Sequence, residues 1–195
     1  MTDVPTLKYP FLEKAKFNDL HVTKTGEMRA SVQLTGLKTL WFNTGTLCNL
    51  TCKNCYIESS PTNDRLVYLT TREVVAFLDE LDSSESAMVE VGFTGGEPFM
   101  NPDFLEMVTE CAERGHRVLI LTNAMRPMMK CQLALLNLQA RFAHLITMRV
   151  SLDHYTAFLH DLYRGDRAFE TALRGLKWLS DNSFNVHIAG RTVWD

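Results

Sequence analysis

The residues best suited to chemistry are Cys48, Cys52 and Cys55, three thiols inside the run Cys48-Asn49-Leu50-Thr51-Cys52-Lys53-Asn54-Cys55 of a chain with only five cysteines. A zinc site closed by protein alone takes four ligands, usually as two separated pairs. No second pair is present. Cys111 and Cys131 stand singly in segments with helical spacing and read as small buried apolar residues. Three converging ligands therefore leave one coordination position open, where a further ligand can bind and react. A structural zinc module completed by Glu58, Asp64 or a histidine is one reading, and an iron–sulfur site is another. The six histidines show no H-x-x-x-H or H-E-x-x-H spacing that would make a metal site of their own.

About forty residues beyond the cysteines comes Thr94-Gly95-Gly96-Glu97-Pro98. Paired glycines let a backbone edge approach a ligand without side-chain obstruction, and proline fixes the turn. There is no G-x-G-x-x-G run or phosphate loop.

The elements that must position these residues alternate strictly. Leu40-Trp41-Phe42-Asn43 reads as a buried first strand leading into the cysteine loop. Thr70 with Glu73 makes a capping box for a helix whose apolar stripe is Val74, Phe77, Leu78 and Leu81, ended by residues 83–86. Met88 to Phe93 is the second strand. Asn101 caps the next helix with Pro102 at its first position, Phe104, Leu105 and Val108 form its buried face, and Gly115 closes it. Arg117 to Thr122 is the third strand. A long helix is expected from about Pro127 to Phe142, then a fourth strand from Leu145 to Leu152. Asp166 is expected to cap a helix bearing Phe169, Leu173, Leu176 and Leu179, and Val186 to Val193 reads as the fifth strand.

Such alternation calls for parallel strands with right-handed crossovers, an α/β sheet curved into part of a barrel. In that architecture functional groups collect at the C-terminal ends of the strands. Those ends carry the three cysteines, Gly95 to Glu97, Thr122 and Asn123, Ser151 and Asp153, and Gly190 and Arg191. Residues 1–38 form a preamble in which the alternating run Arg29 to Leu34 reads as a short strand or hairpin arm, and residues 39–195 form the core.

Composition narrows the class. The 195 residues suffice for one domain with its own core. The net charge of −3 is spread along the chain without a basic block, which argues against nucleic acid. No apolar run reaches the roughly 18 residues of a membrane helix, and no signal-peptide core stands at the N-terminus. An odd count of five cysteines suits a reducing compartment, so a cytoplasmic protein is expected.

The C-x3-C-x2-C spacing resembles the signature of the radical S-adenosylmethionine (radical SAM) superfamily, and the Gly-Gly-Glu-Pro turn resembles its second signature. Ser151-Leu152-Asp153 resembles the family's fourth-strand segment. Asp161 with Arg164-Gly165 resembles the segment after that strand in the branch that modifies peptides and proteins. The resemblance covers about residues 40 to 193. It implies a five-stranded partial (β/α) barrel and a 4Fe–4S cluster held by Cys48, Cys52 and Cys55, with the fourth iron taking the amino and carboxylate groups of S-adenosylmethionine. It further implies that Gly95 and Gly96 approach the cofactor, that Glu97 accepts from its amino group, that Ser151 and Arg164 hold its carboxylate, and that Asn123 or Asp153 takes ribose hydroxyls. The implied reaction is reductive cleavage to a 5′-deoxyadenosyl radical, which abstracts hydrogen from a peptide, protein or small molecule. An external one-electron donor such as a flavodoxin or ferredoxin is implied too. No side chain need act as acid or base. Two positions depart from the family's pattern: Asn54 stands where an aromatic is common, with Tyr56 after the cysteine instead, and His154 stands where glycine usually follows the aspartate. An iron–sulfur carrier that does not cleave S-adenosylmethionine is the alternative, with little use for Gly95 to Pro98. Family cores usually close with a sixth strand, whereas this chain stops at Trp194-Asp195. A truncated chain or one completed by a partner, with an open apolar edge, is therefore expected.

Overall fold

The computed structural model describes residues 19–33, 36–83 and 88–191. Strands and helices alternate along it as β1 (Thr39–Asn43), α1 (Thr71–Ser83), β2 (Glu90–Thr94), a 3-10 turn (Pro98–Met100), α2 (Phe104–Glu113), β3 (Arg117–Thr122), α3 (Arg126–Met129), α4 (Gln132–Phe142), β4 (Ile146–Ser151), α5 (Ala157–Arg164), α6 (Ala168–Asp181) and β5 (Asn185–Ala189). The strands lie side by side in sequence order and every pair is parallel. Parallel neighbours need a crossover between them, and the intervening helices supply it.

Alternation within the strands sorts the sheet into two faces. Val91 and Phe93, Val118 and Ile120, and Ile146, Met148 and Val150 point one way and are buried against Val74, Leu78, Phe104, Met107, Leu135 and Leu179 of the helices. Phe42, Phe93, Phe104 and Phe99 run through this core in sequence, with ring centroids 5.7, 5.5 and 4.9 Å apart. The opposite face carries Trp41, Leu119, Leu121, Thr147, Arg149 and Ser151. Registers Asn43↔Thr94 and Ser151↔Ala189 bring the ends of β1 and β2, and of β4 and β5, level with one another.

The chain divides into two compact units, Met1–Thr35 and Gly36–Asp195. In the first, Val22 and Met28 make one antiparallel bridge around a turn in which Gly26 has a positive φ of 85°. The strand expected from Arg29 does not form through residue 33, because no second chain segment pairs with it among the described residues, and Leu34 lies outside them.

Several helix boundaries differ from expectation for identifiable reasons. The long helix expected from Pro127 breaks into α3 and α4, because Cys131 N–H turns back to the Met128 carbonyl at 2.9 Å and tightens the chain there. Asn101 makes the expected cap bond, its Oδ1 accepting from Asp103 N at 2.9 Å, while its amide nitrogen donates to the carbonyls of Thr44 and Leu69 at 3.0 and 2.8 Å and ties two loops; the regular helix α2 begins after Asp103. Asp166 does not cap α6; the Asp161 carboxylate reaches across from α5 to accept from Arg167 N and Phe169 N at 3.0 and 2.7 Å. Helix α5 itself has no counterpart among the expected elements, because Phe158 and Leu162 on it face outward and leave no core stripe to read. Phe77 is half exposed, though its ring edge still meets Phe42 at 5.8 Å. Strand β5 ends at Ala189, where Arg191 N–H leaves the ladder for the Asp153 carboxylate at 3.3 Å; Thr192 and Val193 lie outside the described residues. β1 and β5 are the sheet's edges, and Trp41 and Ile188 on them are 45% and 59% exposed. Among the described residues, no helix is long and apolar enough to cross a membrane.

Candidate active site

Thr94, Leu121, Ser151 and Ala189, the last uncovered-face positions of four neighbouring strands, line one cavity of about 280 Å³. Cys48, Cys52 and Cys55 line it as well, with Gly95, Gly96, Asn123, Asp153, Arg164, Gly190 and Arg191. Glu97 does not.

The cysteine loop is closed at its base by parallel bridging of Leu47 with Ser60 and by Cys48 N–H on the Ser60 carbonyl at 3.0 Å. Its tip is held by Lys53 N–H on the Tyr163 carbonyl at 2.8 Å and by Arg191 Nη1 on the carbonyls of Lys53 and Asn54 at 2.9 and 3.3 Å. Asn54 sits in the left-handed region at φ 58°, a conformation asparagine tolerates far better than a bulky aromatic, which accounts for the residue found there. Tyr56 lines the cavity from the next turn and is largely exposed.

Two sulfurs receive backbone donors: Leu50 N–H points at Cys48 Sγ at 3.4 Å, and Ser59 N–H at Cys55 Sγ at 3.3 Å. Burial pushes the Cys48 thiol up to about 12. Burial also raises Cys52, against the guanidiniums of Arg164 and Arg191, which favour its thiolate. Cys48 and Cys52 are therefore thiols without a metal, so metal binding must displace their protons.

The Gly95-Gly96 turn packs against the loop's own backbone. Gly96 N–H donates to the Gly45 carbonyl at 2.8 Å and Glu97 N–H to the Leu47 carbonyl at 3.1 Å. A Cβ on Gly96 would overlap the Leu47 carbonyl, one residue before Cys48. The glycines thus serve close approach to the cysteine loop besides facing the cavity.

Glu97 turns inward. Its carboxylate accepts from Thr122 Oγ1 at 2.7 Å, Asn123 N at 2.8 Å and Phe99 N at 3.4 Å. This side chain braces the turn after β3. Asn123 passes the brace on, its amide donating to Asn49 Oδ1 at 2.9 Å and approaching Cys48 Sγ at 4.0 Å while its oxygen accepts from Met125 N.

Asp153 is also committed inside the protein. Arg164 donates to it through Nε and Nη2 at 2.7 and 3.0 Å, and Arg191 through Nε and Nη2 at 3.2 and 2.6 Å. Burial would raise this carboxyl, but the two guanidiniums outweigh burial and hold it well below the usual carboxylate range. Both oxygens accept from arginines, and Asp153 and Asn123 still line the cavity. One edge of the Arg164 fork is likewise engaged. The Arg191–Asp153 pairing was not legible in sequence; the only signal was an arginine directly after a strand-end glycine.

The sequence model of the radical SAM superfamily matches residues 42–193, most of the chain. The chain belongs to the radical SAM superfamily. It is 32% identical over 143 residues to the antilisterial bacteriocin subtilosin biosynthesis protein AlbA of Bacillus subtilis, covering 73% of this chain and 30% of that protein. To the mycofactocin maturase MftC of Mycobacterium tuberculosis it is 32% identical over 139 residues, covering 70% and 33%. To an AdoMet-dependent heme synthase of Oleidesulfovibrio alaskensis it is 32% identical over 142 residues, covering 72% and 34%. The chain thus spans about a third of the length of these relatives. Among solved structures it superposes on Streptococcus suis SuiB bound to S-adenosylmethionine with a TM-score of 0.66 at 19% identity, covering 80% of this chain and 34% of that one. The parallel sheet is accordingly the partial barrel of the radical SAM fold.

The superfamily uses S-adenosylmethionine and an iron–sulfur cluster, and this chain's residues fit them. Three soft thiols face one cavity, with N–H donors on two of the sulfurs. Ser59, on the same wall, keeps a buried hydroxyl without a protein partner. Among the described residues no three His, Cys, Asp or Glu side chains stand as a ready cage for a metal ion.

Proposed function

We propose that residues 39–195 form the core of a radical SAM enzyme in which Cys48, Cys52 and Cys55 hold a 4Fe–4S cluster and the adjoining cavity takes S-adenosylmethionine. When bound and reduced, the cluster supplies the electron that splits S-adenosylmethionine into methionine and a 5′-deoxyadenosyl radical, which abstracts hydrogen from the substrate. The observation that carries this reading is the gathering of three thiols, the Gly95-Gly96 edge and Ser151 on one cavity at level strand ends. Gly95 and Gly96 offer a backbone edge free of side chains to the amino acid moiety. Arg164 and Arg191 share a single counter-charge in Asp153, so one positive charge remains to attract a carboxylate. Leu50, Leu121 and Ala189 give the cavity an apolar lining that limits water.

The substrate class we favour is a peptide. Two relatives are named for subtilosin biosynthesis and mycofactocin maturation, and SuiB is described with a precursor peptide. The heme synthases among the relatives support tetrapyrrole chemistry as a second reading. An external one-electron donor would reduce the cluster.

The test is anaerobic iron reconstitution followed by assay for 5′-deoxyadenosine under a strong reductant, with wild type, Cys52→Ala and Cys131→Ala side by side. Wild type and Cys131→Ala should turn brown and release 5′-deoxyadenosine; Cys52→Ala should release none. Equal yields from wild type and Cys52→Ala would remove the mechanism. A brown wild type that releases nothing would leave an electron carrier.

A further inference from the structure

Ser59 is 4% exposed, and its hydroxyl has no hydrogen-bond partner within the protein. A hydroxyl buried without a partner is unfavourable, so an orphan of this kind marks a place where another group completes the bonding. Ser59 lines the same cavity as the three cysteines. Its backbone N–H already donates to Cys55 Sγ at 3.3 Å. The neighbouring bridge between Leu47 and Ser60, with Cys48 N–H on the Ser60 carbonyl, fixes this wall relative to both ends of the cysteine run. A hydroxyl can rotate to meet an acceptor that arrives. Asp153, the one carboxylate on the cavity wall among the described residues, is already paired with two guanidiniums, and the Cys55 sulfur lies next to Ser59 through its backbone N–H.

We propose that the Ser59 hydroxyl donates to a sulfur of the bound cluster, either a sulfide or the Cys55 thiolate, and thereby sets its reduction potential. This rests on the cluster reading above. A donor on sulfur stabilises the more negative, reduced state and so raises the potential. Ser59 touches the cluster from outside its ligand set, as a tuning residue that does not hold iron.

The experiment compares wild type, Ser59→Ala and Ser59→Thr after anaerobic reconstitution, measuring iron and sulfide content, then the potential by EPR-monitored redox titration, with and without S-adenosylmethionine. All three proteins should carry the same iron. Without S-adenosylmethionine, Ser59→Ala should titrate at a potential about 59 mV lower, equal to a tenfold smaller reduced-to-oxidised ratio at a fixed applied potential. Ser59→Thr, which keeps the hydroxyl, should stay near wild type. In the iron-free chain Ser59→Ala should melt no lower than wild type, because it removes an unpaired group. An unchanged potential in an iron-replete Ser59→Ala would overturn the inference. A shift that appears only with S-adenosylmethionine would assign the hydroxyl to that cofactor instead and overturn it equally, as would loss of iron or a lower melting temperature in the alanine variant. Failure of the wild type to assemble a cluster would count against the proposed function itself.

Discussion

Glu97→Gln probes the brace between the Gly-Gly turn and the turn after β3. The Glu97 side chain is enclosed, and burial raises its carboxyl while hydrogen bonds from Asn123 N, Thr122 and Phe99 N, with the Arg164 charge, lower it; the balance lies at about 7 against 4.5 for a free glutamate. Between those two values the folded chain holds a proton that the unfolded chain has lost. Glu97 therefore contributes its full stability below pH 4.5, and that contribution is lost as pH rises through about 7. The gap corresponds to about 3 kcal/mol. Glutamine has no proton to lose, so the variant lacks this slope. It carries instead a constant cost of about 1–3 kcal/mol, since a carboxamide N–H would oppose the Asn123 or Thr122 donor. Urea unfolding of the iron-free chain at pH 4.5, 6 and 8 reads both terms. The wild type's advantage over Glu97→Gln should shrink by about 3 kcal/mol from the lowest pH to the highest. Taking the difference cancels His160, whose imidazole burial pushes down. An advantage that stays constant or grows with pH would refute the claim that burial outweighs the three hydrogen bonds.

Gly96→Ala should cost about 1–3 kcal/mol and lower iron uptake, because the new Cβ meets the Leu47 carbonyl beside Cys48; urea unfolding and iron assay check it. Asp153→Asn should destabilise the chain by about 3–5 kcal/mol at neutral pH, since it strands two guanidiniums at a carboxylate that is itself fully enclosed. As its pKa is depressed, the stability Asp153 supplies is present above its free value of 3.8 and lost as pH falls further, so the gap between wild type and variant should close on acidification in the same urea measurement. Asp161→Ala should cost about 0.5–2 kcal/mol, because it removes the acceptor for Arg167 N and Phe169 N at the start of α6; thermal unfolding followed by circular dichroism measures it, and Asp166→Ala should change little.

What sequence alone determined here is what depends on local spacing. The capping box at Thr70 and Glu73 forms as expected, with Thr70 N on the Glu73 carboxylate at 2.8 Å, because both partners lie within one turn. The strands were legible because alternating apolar residues of β2, β3 and β4 must face a helix layer. Their alternation with helices dictated parallel pairing, and so the end of the sheet at which the cysteines, Gly95, Gly96 and Ser151 would meet. Tertiary structure alone decided which partners the polar groups at the strand ends take. Glu97 looked outward from its place in a turn, but Thr122 and Asn123, brought beside it by β3, claimed its oxygens. Asp153 gained its partners from Arg164 and Arg191, 11 and 38 residues further along the chain, which converge on it. The cap of α6 was decided in the same way, with Asp161 of a neighbouring helix taking the place of Asp166. A charge or donor in a low-dielectric interior is worth most to whatever partner the fold brings nearest, and that partner need not be near in sequence.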